Sequence, residues 1–327
     1  MHIRNIASLA IIVFVCISCQ KEINHQPRSG DSTPGAFAKG GGSKPFKRQI
    51  IKGTNSYNEY WTGNLPIILS APHGGSLKPA ALPDRTCAEC VTSADLNTRE
   101  LLRLVDSVFT AKTGCFVHSV FTNLHRVKID QNRSLPEATD GNDVTLPYYN
   151  EYHNNLVAAQ NAVMKKYSKG MVIDLHGHGH SIQRLELGYL ISGSELRMSD
   201  ASLLTLAGTS SIRRLNQVAL SSPGFVNLVR GQEALGTLLG NKGFPAVPSQ
   251  QIPYPLEGEA YFSGGYITET YGSLNNLKTD AIQIECNFTN VRDTDANRIA
   301  FAVALTDALI GYCSLYFSDS LATLCKL

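Results

Sequence analysis

Three histidines alternate in the run Asp174-Leu175-His176-Gly177-His178-Gly179-His180, in a chain that holds nine histidines in all. Neutral imidazole is the commonest protein ligand for zinc, and a carboxylate commonly holds its second ring nitrogen. A strand ending at His176 places Asp174 and His176 on one side, and the glycines leave room for an ion there. His178 and His180 then support the ligands from behind or face substrate; a polar loop with incidental histidines is the plain alternative. Pro72-His73-Gly74-Gly75 repeats the arrangement, with a histidine and two glycines after an apolar stretch. A catalytic zinc usually takes three protein ligands and keeps a fourth position for water. One Zn2+ ion on His73 and His176 therefore needs a third donor. Asp95, in Ala94-Asp95-Leu96-Asn97-Thr98-Arg99-Glu100, is the best candidate, against its reading as the cap of the helix that it opens. Glu285 lies between apolar neighbours in Ala281-Ile282-Gln283-Ile284-Glu285-Cys286 and points away from them. At a strand end beside a metal it is placed to act as general base and then general acid; a salt-bridged edge carboxylate is the alternative. The sequence contains no Gly-x-Ser-x-Gly elbow, which argues against a serine hydrolase.

The elements that must position these residues read as alternating strands and helices. Residues 65–71, 116–121, 171–175 and 281–286 are short apolar strands. Residues 95–109 repeat Leu101, Leu102, Val105, Val108 and Phe109 at helical spacing, and 149–167 places Tyr149, Tyr152, Leu156, Ala159 and Val163 on one helical face. A long apolar helix opens from Asp293. The pattern predicts a single α/β domain with a mostly parallel or mixed central sheet and helices on both faces. In such sheets ligands bind beyond the carboxyl ends of strands, and His73, His176 and Glu285 all fall there. No internal repeat is visible.

Residues 1–19 read as a lipoprotein signal peptide. Arg4 precedes the apolar run Ile6 to Ile17, too short for a membrane span. Cys16-Ile17-Ser18-Cys19 resembles a lipobox, which implies acylation at Cys19 and a lipid anchor in the bacterial cell envelope. Residues 20–48, rich in glycine and proline with little to bury, read as a flexible tether. Residues 49–327 form the catalytic domain, about 280 residues, enough for a full core. Hydrophobic residues make up 43% and charged residues 17%, with a net charge of +2 and no basic stripe that would serve nucleic acid. Of eight cysteines, Cys16 and Cys19 belong to the signal. Cys87 and Cys90 form a CxxC read as a local disulfide, Cys313 and Cys325 are positioned to pair, and Cys115 and Cys286 read as buried thiols.

Five motifs occur in an order similar to that of the N-formylglutamate amidohydrolase family: Pro72-His73-Gly74-Gly75, Asp95-Leu96-Asn97-Thr98, the run from His125 to Arg133, Ile173-Asp174-Leu175-His176 and Ile284-Glu285. The resemblance spans roughly residues 65 to 290 and implies a fold related to the zinc carboxypeptidases. It implies zinc held by His73, a carboxylate and His176, with Glu285 as acid/base. The zinc carboxypeptidases carry a Glu soon after the first His; Ser76-Leu77-Lys78 has none, and Asp95 before Thr98 resembles the acidic segment displaced by an inserted loop. The resemblance further implies that Arg126, Asn132 and Arg133 bind a substrate carboxylate, which suits the bidentate geometry of guanidinium. The expected reaction is cleavage of an amide in an N-acyl amino acid or small peptide. A cell-wall or γ-glutamyl peptide amidase on the same fold, and a non-catalytic ligand-binding lipoprotein, are the rival expectations. Residues 253–271, with Tyr261, Tyr266 and Tyr271 among glycines, read equally as a substrate loop or as an aromatic core edge.

Overall fold

The computed structural model describes residues 46–218, 224–275, 278–317 and Leu321. The signal segment 1–19, the acylation site Cys19 and tether residues 20–45 lie outside them. The compact unit begins at Phe46, slightly before the expected boundary. Arg48 pairs with Asp106 and lies 5.2 Å from the centre of the Trp61 ring, so the end of the expected tether is already folded.

Eight strands form one sheet: β1 (Ile50–Lys52), β2 (Asn58–Trp61), β3 (Ile67–Ala71), β4 (His118–Thr122), β5 (Met171–Gly177), β6 (Leu185–Gly188), β7 (Ala246–Val247) and β8 (Asp280–Cys286). Their spatial order is β1-β2-β4-β3-β5-β8-β6-β7. The four central strands β4, β3, β5 and β8 are parallel. Antiparallel pairings join β2 to β4 on one side and β6 to β8 on the other. The sheet is therefore mixed, with a parallel centre.

Alternation sorts the side chains. Ile67, Leu69, Ala71, Met171, Ile173, Leu175, Ile282 and Ile284 enter one core together with Leu101, Leu102, Val105 and Phe109 of α1 (Thr98–Thr113). Ile68, Val120, Val172 and Ala281 face Tyr152, Leu156, Ala159 and Val163 of α2 (Leu146–Lys166), and Ile267 and Tyr271 of α3 (Tyr266–Tyr271). Truncating any one of the fully buried leucines to alanine is expected to cost about 2–5 kcal/mol. The C-terminal helix α4 (Asp295–Tyr316) is apolar enough to cross a membrane by composition, but 56% of its apolar window is buried in the domain, where it packs against α1.

Helix α1 starts later than its periodicity suggests. Asn97 adopts φ 67, a left-handed conformation that asparagine tolerates, and helical geometry begins only at Thr98. The cysteines divide differently from expectation at two positions. Cys87 and Cys90 are bonded and Cys286 is a buried free thiol. Cys313, however, is also free, because it faces the core rather than the chain end. Cys115 is disulfide-bonded rather than a free thiol; Cys325 lies outside the described residues.

Candidate metal centre and active site

His73 follows β3, and β5 carries Asp174 and His176 on its α2 side. Their rings meet edge to face, 4.8 Å between centroids. Each Nε2 is held by a buried carboxylate: His73 donates to Asp130 Oδ1 at 2.6 Å and His176 to Asp174 Oδ2 at 2.7 Å. This fixes both tautomers and turns both Nδ1 lone pairs to the same point. There Asp95 Oδ2 lies 3.2 Å from His73 Nδ1 and 3.3 Å from His176 Nδ1, and accepts a bond from the Gly177 amide at 3.1 Å. Asp95 is not the side-chain cap of α1, whose first turn has none. Among the described residues, one donor atom each from His73, Asp95 and His176 fall within 4.8 Å of one another.

Two ring nitrogens and a carboxylate oxygen this close are held together by positive charge between them, carried by ring protons or by a metal ion. Two imidazole nitrogens plus one carboxylate is a donor set that fits zinc with an open position. The electrostatics agree. Burial opposes charge on Asp95, yet the His73 and His176 rings hold its carboxyl well below the usual range. Burial likewise opposes imidazolium at His176, but Asp174 and Asp95 outweigh it and raise its pKa well above the ordinary value.

Glu285 pairs with His176 across the parallel strands β5 and β8, so the two side chains lie side by side on one face. Gln283, two residues earlier and on that same face, donates to Glu285 Oε1 at 2.9 Å. Burial pushes Glu285 up to about 8, and the carboxylates of Asp95, Glu186 and Asp174 add to this against the opposing influence of His176.

His73, Asp95, His176, Gln283 and Glu285 line one cavity of about 200 Å³, whose wall includes Arg126, Asn132, Arg133, Val91 and Phe262. Arg126 is more committed than a free carboxylate receptor: Nε donates to Asp130 Oδ2 at 2.9 Å and Nη1 lies 3.6 Å from Asp95. Asn132 Oδ1 accepts from the Ile267 amide at 2.8 Å. A Cβ on Gly265 would stand 2.4 Å from Asn132 Nδ2, so that loop position is closed to larger residues. Arg133 is the half-exposed cation of the cavity; it pairs with Glu137 at 3.0 Å and donates to Asn132 O at 3.1 Å.

His178 and His180 stand apart from the three donors. His178 Nδ1 accepts from the His180 amide, and its Nε2 donates to Arg184 O at 2.8 Å, so both nitrogens serve the backbone. His180 pairs with the buried Glu186 at 2.8 Å and stacks on Phe262, 4.7 Å between rings, behind the cavity wall. In residues 253–271, Tyr261 donates to Leu187 O at 2.6 Å and Tyr271 packs in the core under α2, while Phe262 reaches the cavity.

Three residues of the site carried no role in the sequence reading. Asp130 stands four residues after Arg126, a spacing that pairs charges only where the chain turns. Gln283 shares the strand period of Glu285 and was open to that inference. Arg292 has no local signal at all.

No protein-family profile matches the chain, and no curated protein does. Solved structures show similarity. N-formylglutamate amidohydrolase from Ralstonia eutropha aligns over 75% of this chain and 91% of its own, at 15% identity and a TM-score of 0.45. The N-acetylmuramyl-L-alanine amidase of Mycobacterium smegmatis aligns over 76% and 96%, at 12% and 0.36. Succinylglutamate desuccinylase from Chromobacterium violaceum aligns over 80% and 65%, at 14% and 0.35. The first bears the name of the family that the sequence motifs resemble. At these identities and scores, the role of each residue rests on the geometry of this chain.

Proposed function

We propose that the chain is a metal-dependent amidohydrolase that binds one zinc ion at His73, Asp95 and His176 and cleaves an amide bond in a carboxylate-bearing substrate. The observation that carries this reading is the convergence of both Nδ1 atoms on Asp95 Oδ2, with Glu285 on the adjacent strand in the same cavity.

When bound, the metal supplies Lewis acidity to water and to the substrate carbonyl. Glu285 takes a proton at its second carboxylate oxygen as water attacks the amide carbon, Oε1 being held by Gln283. Its high pKa falls when positive charge sits at the neighbouring donors, which leaves it a carboxylate ready to act. It then returns the proton to the departing nitrogen, so that one residue serves as base and acid in turn. Arg133, with Asn132 behind it, orients the substrate carboxylate through its guanidinium. Arg126 keeps Asp130 and Asp95 in place and adds positive charge near the developing oxyanion.

Val91 and Phe262, 46% and 44% exposed, give the cavity an apolar rim. They favour a substrate with apolar surface beyond its carboxylate, such as an N-acyl amino acid or short peptide, alongside N-formylglutamate itself. We further propose export and lipid anchoring at Cys19, a reading supported by the apolar N-terminal run and by the Cys87–Cys90 bond, which an oxidising compartment preserves.

The test is hydrolysis of N-formylglutamate, N-acyl acidic amino acids and short peptides, with metal analysis of the purified protein. Activity is expected to vanish with chelator, return with zinc, and fall by about 10²–10⁴ in Glu285→Ala. Full activity in that variant overturns the mechanism, and zinc binding without turnover of any amide identifies a binding protein instead.

A further inference from the structure

Arg292 is buried behind the site, and among the described residues no carboxylate pairs with it. Each of its three nitrogens donates to a backbone carbonyl. Nε donates to Cys286 O at 2.9 Å, Nη2 to His178 O at 3.1 Å and Nη1 to Leu96 O. Each carbonyl belongs to a different segment. Leu96 follows Asp95, His178 lies just beyond His176, and Cys286 follows Glu285. The residue is itself held: its carbonyl accepts from Asn97 Nδ2 at 2.8 Å and from Arg298 Nη1 at 2.7 Å, and Phe288 lies 5.4 Å from the guanidinium carbon. Space for the fork depends on Gly177, where a Cβ would stand 2.3 Å from Arg292 Cζ.

A buried guanidinium without a carboxylate partner is costly, and three carbonyls from three segments form a receptor that a planar, five-donor fork fills and an ammonium does not. We propose that Arg292 is a positioning residue, whose fork ties together the three chain segments that present Asp95, His176 and Glu285. The tie acts on the backbone and holds with or without a metal; only its consequence for zinc affinity rests on the function proposed above.

The experiment compares the full-length protein with Arg292→Lys, which keeps the charge and loses the fork, and with Gly177→Ala, which places a methyl where the guanidinium lies. Hydrogen exchange is followed in chelator, and zinc affinity is then measured by competition with a chromophoric chelator. In both variants exchange is expected to rise together at residues 94–98, 176–179 and 285–288, by about tenfold or more, while β3 and α2 keep their protection. Zinc affinity is expected to fall by about 10–100-fold. Unchanged exchange at the three segments in Arg292→Lys, or a uniform rise throughout the domain, overturns the role of Arg292. If the wild-type protein binds no zinc, the proposed function fails while the exchange result still decides this inference.

Discussion

The two carboxylates behind the histidines have the same job at the imidazole and opposite surroundings, so neutralising them should have separable effects. Asp130 is a hub. Oδ1 accepts from His73 at 2.6 Å and from the Asn132 amide at 3.0 Å, Oδ2 accepts from Arg126 at 2.9 Å, and Arg85 lies 3.8 Å away. Burial opposes its charge, but His73 and Arg126 hold its carboxyl far below the usual range. Asp130→Asn turns an amide NH2 toward a donor, leaves the buried Arg85 guanidinium without its anion and leaves Arg126 with Asp95 alone, a class of change that costs about 3–5 kcal/mol. Asp174 makes one bond, to His176, and its buried Oδ1 accepts none. Asp174→Asn weakens that one bond and leaves a buried NH2 without an acceptor, so its net cost is expected to be the smaller, about 1–3 kcal/mol. Both substitutions free a ligand ring, and both should weaken zinc binding by about 10–100-fold. Urea denaturation in chelator reads the first quantity, and chelator competition reads the second. Equal stability losses in the two variants, or wild-type zinc affinity in either, would refute the division of labour between hub and prop.

Three further outcomes follow from the same geometry. Arg133→Ala should raise KM for carboxylate-bearing substrates by about tenfold or more with little change in kcat, and leave uncharged amides unaffected; steady-state kinetics on paired substrates checks this. Gln283→Leu removes a side-chain donor to Glu285 Oε1, and should shift the acid/base limb of the kcat/KM profile to higher pH, because a hydrogen bond to the carboxylate favours the charged form. Asp280, far from the cavity, is raised to about 6 by burial although Ser273 Oγ and the Leu215 amide donate to it. A folded pKa above the unfolded 3.8 means that its contribution is full below pH 3.8 and is lost as pH rises through about 6. Asp280→Asn keeps the acceptor without the charge, and should gain up to about 3 kcal/mol over wild type at pH 7 and almost nothing at pH 4, read from urea midpoints.

The strand ends were readable because two signals coincide there: an apolar run long enough for one strand, then His or Glu beside glycine. Those signals place His73, His176 and Glu285 at strand ends, and the two-residue period puts Asp174 behind His176. Asp95 was ambiguous because an aspartate before a helix satisfies two physical demands at once, and only its distance from both rings separates them. The edge additions, β1–β2 on one side and β6–β7 on the other, were not legible. β1 and β7 are too short to show a period, and Ile50 and Ile51 of β1 are both exposed. Arg292 escaped for a different reason. Its partners are carbonyls, which every residue has, so nothing in the side-chain pattern announces them.

The distribution of the site along the chain has a bearing on biogenesis. His73 and Asp95 belong to the first strands and crossovers, His176 to the middle of the domain, and Glu285 and Arg292 to its last strand and the turn before the final helix. β8 inserts between β5 and β6, both made before it. A nascent chain therefore holds no complete site until β8 docks in the centre of the sheet, a non-local pairing of the slow-forming kind. On the proposed function, acquisition of the metal would mark the end of folding, and a truncation that spares every histidine but removes β8 should yield a protein that neither completes its sheet nor retains an ion.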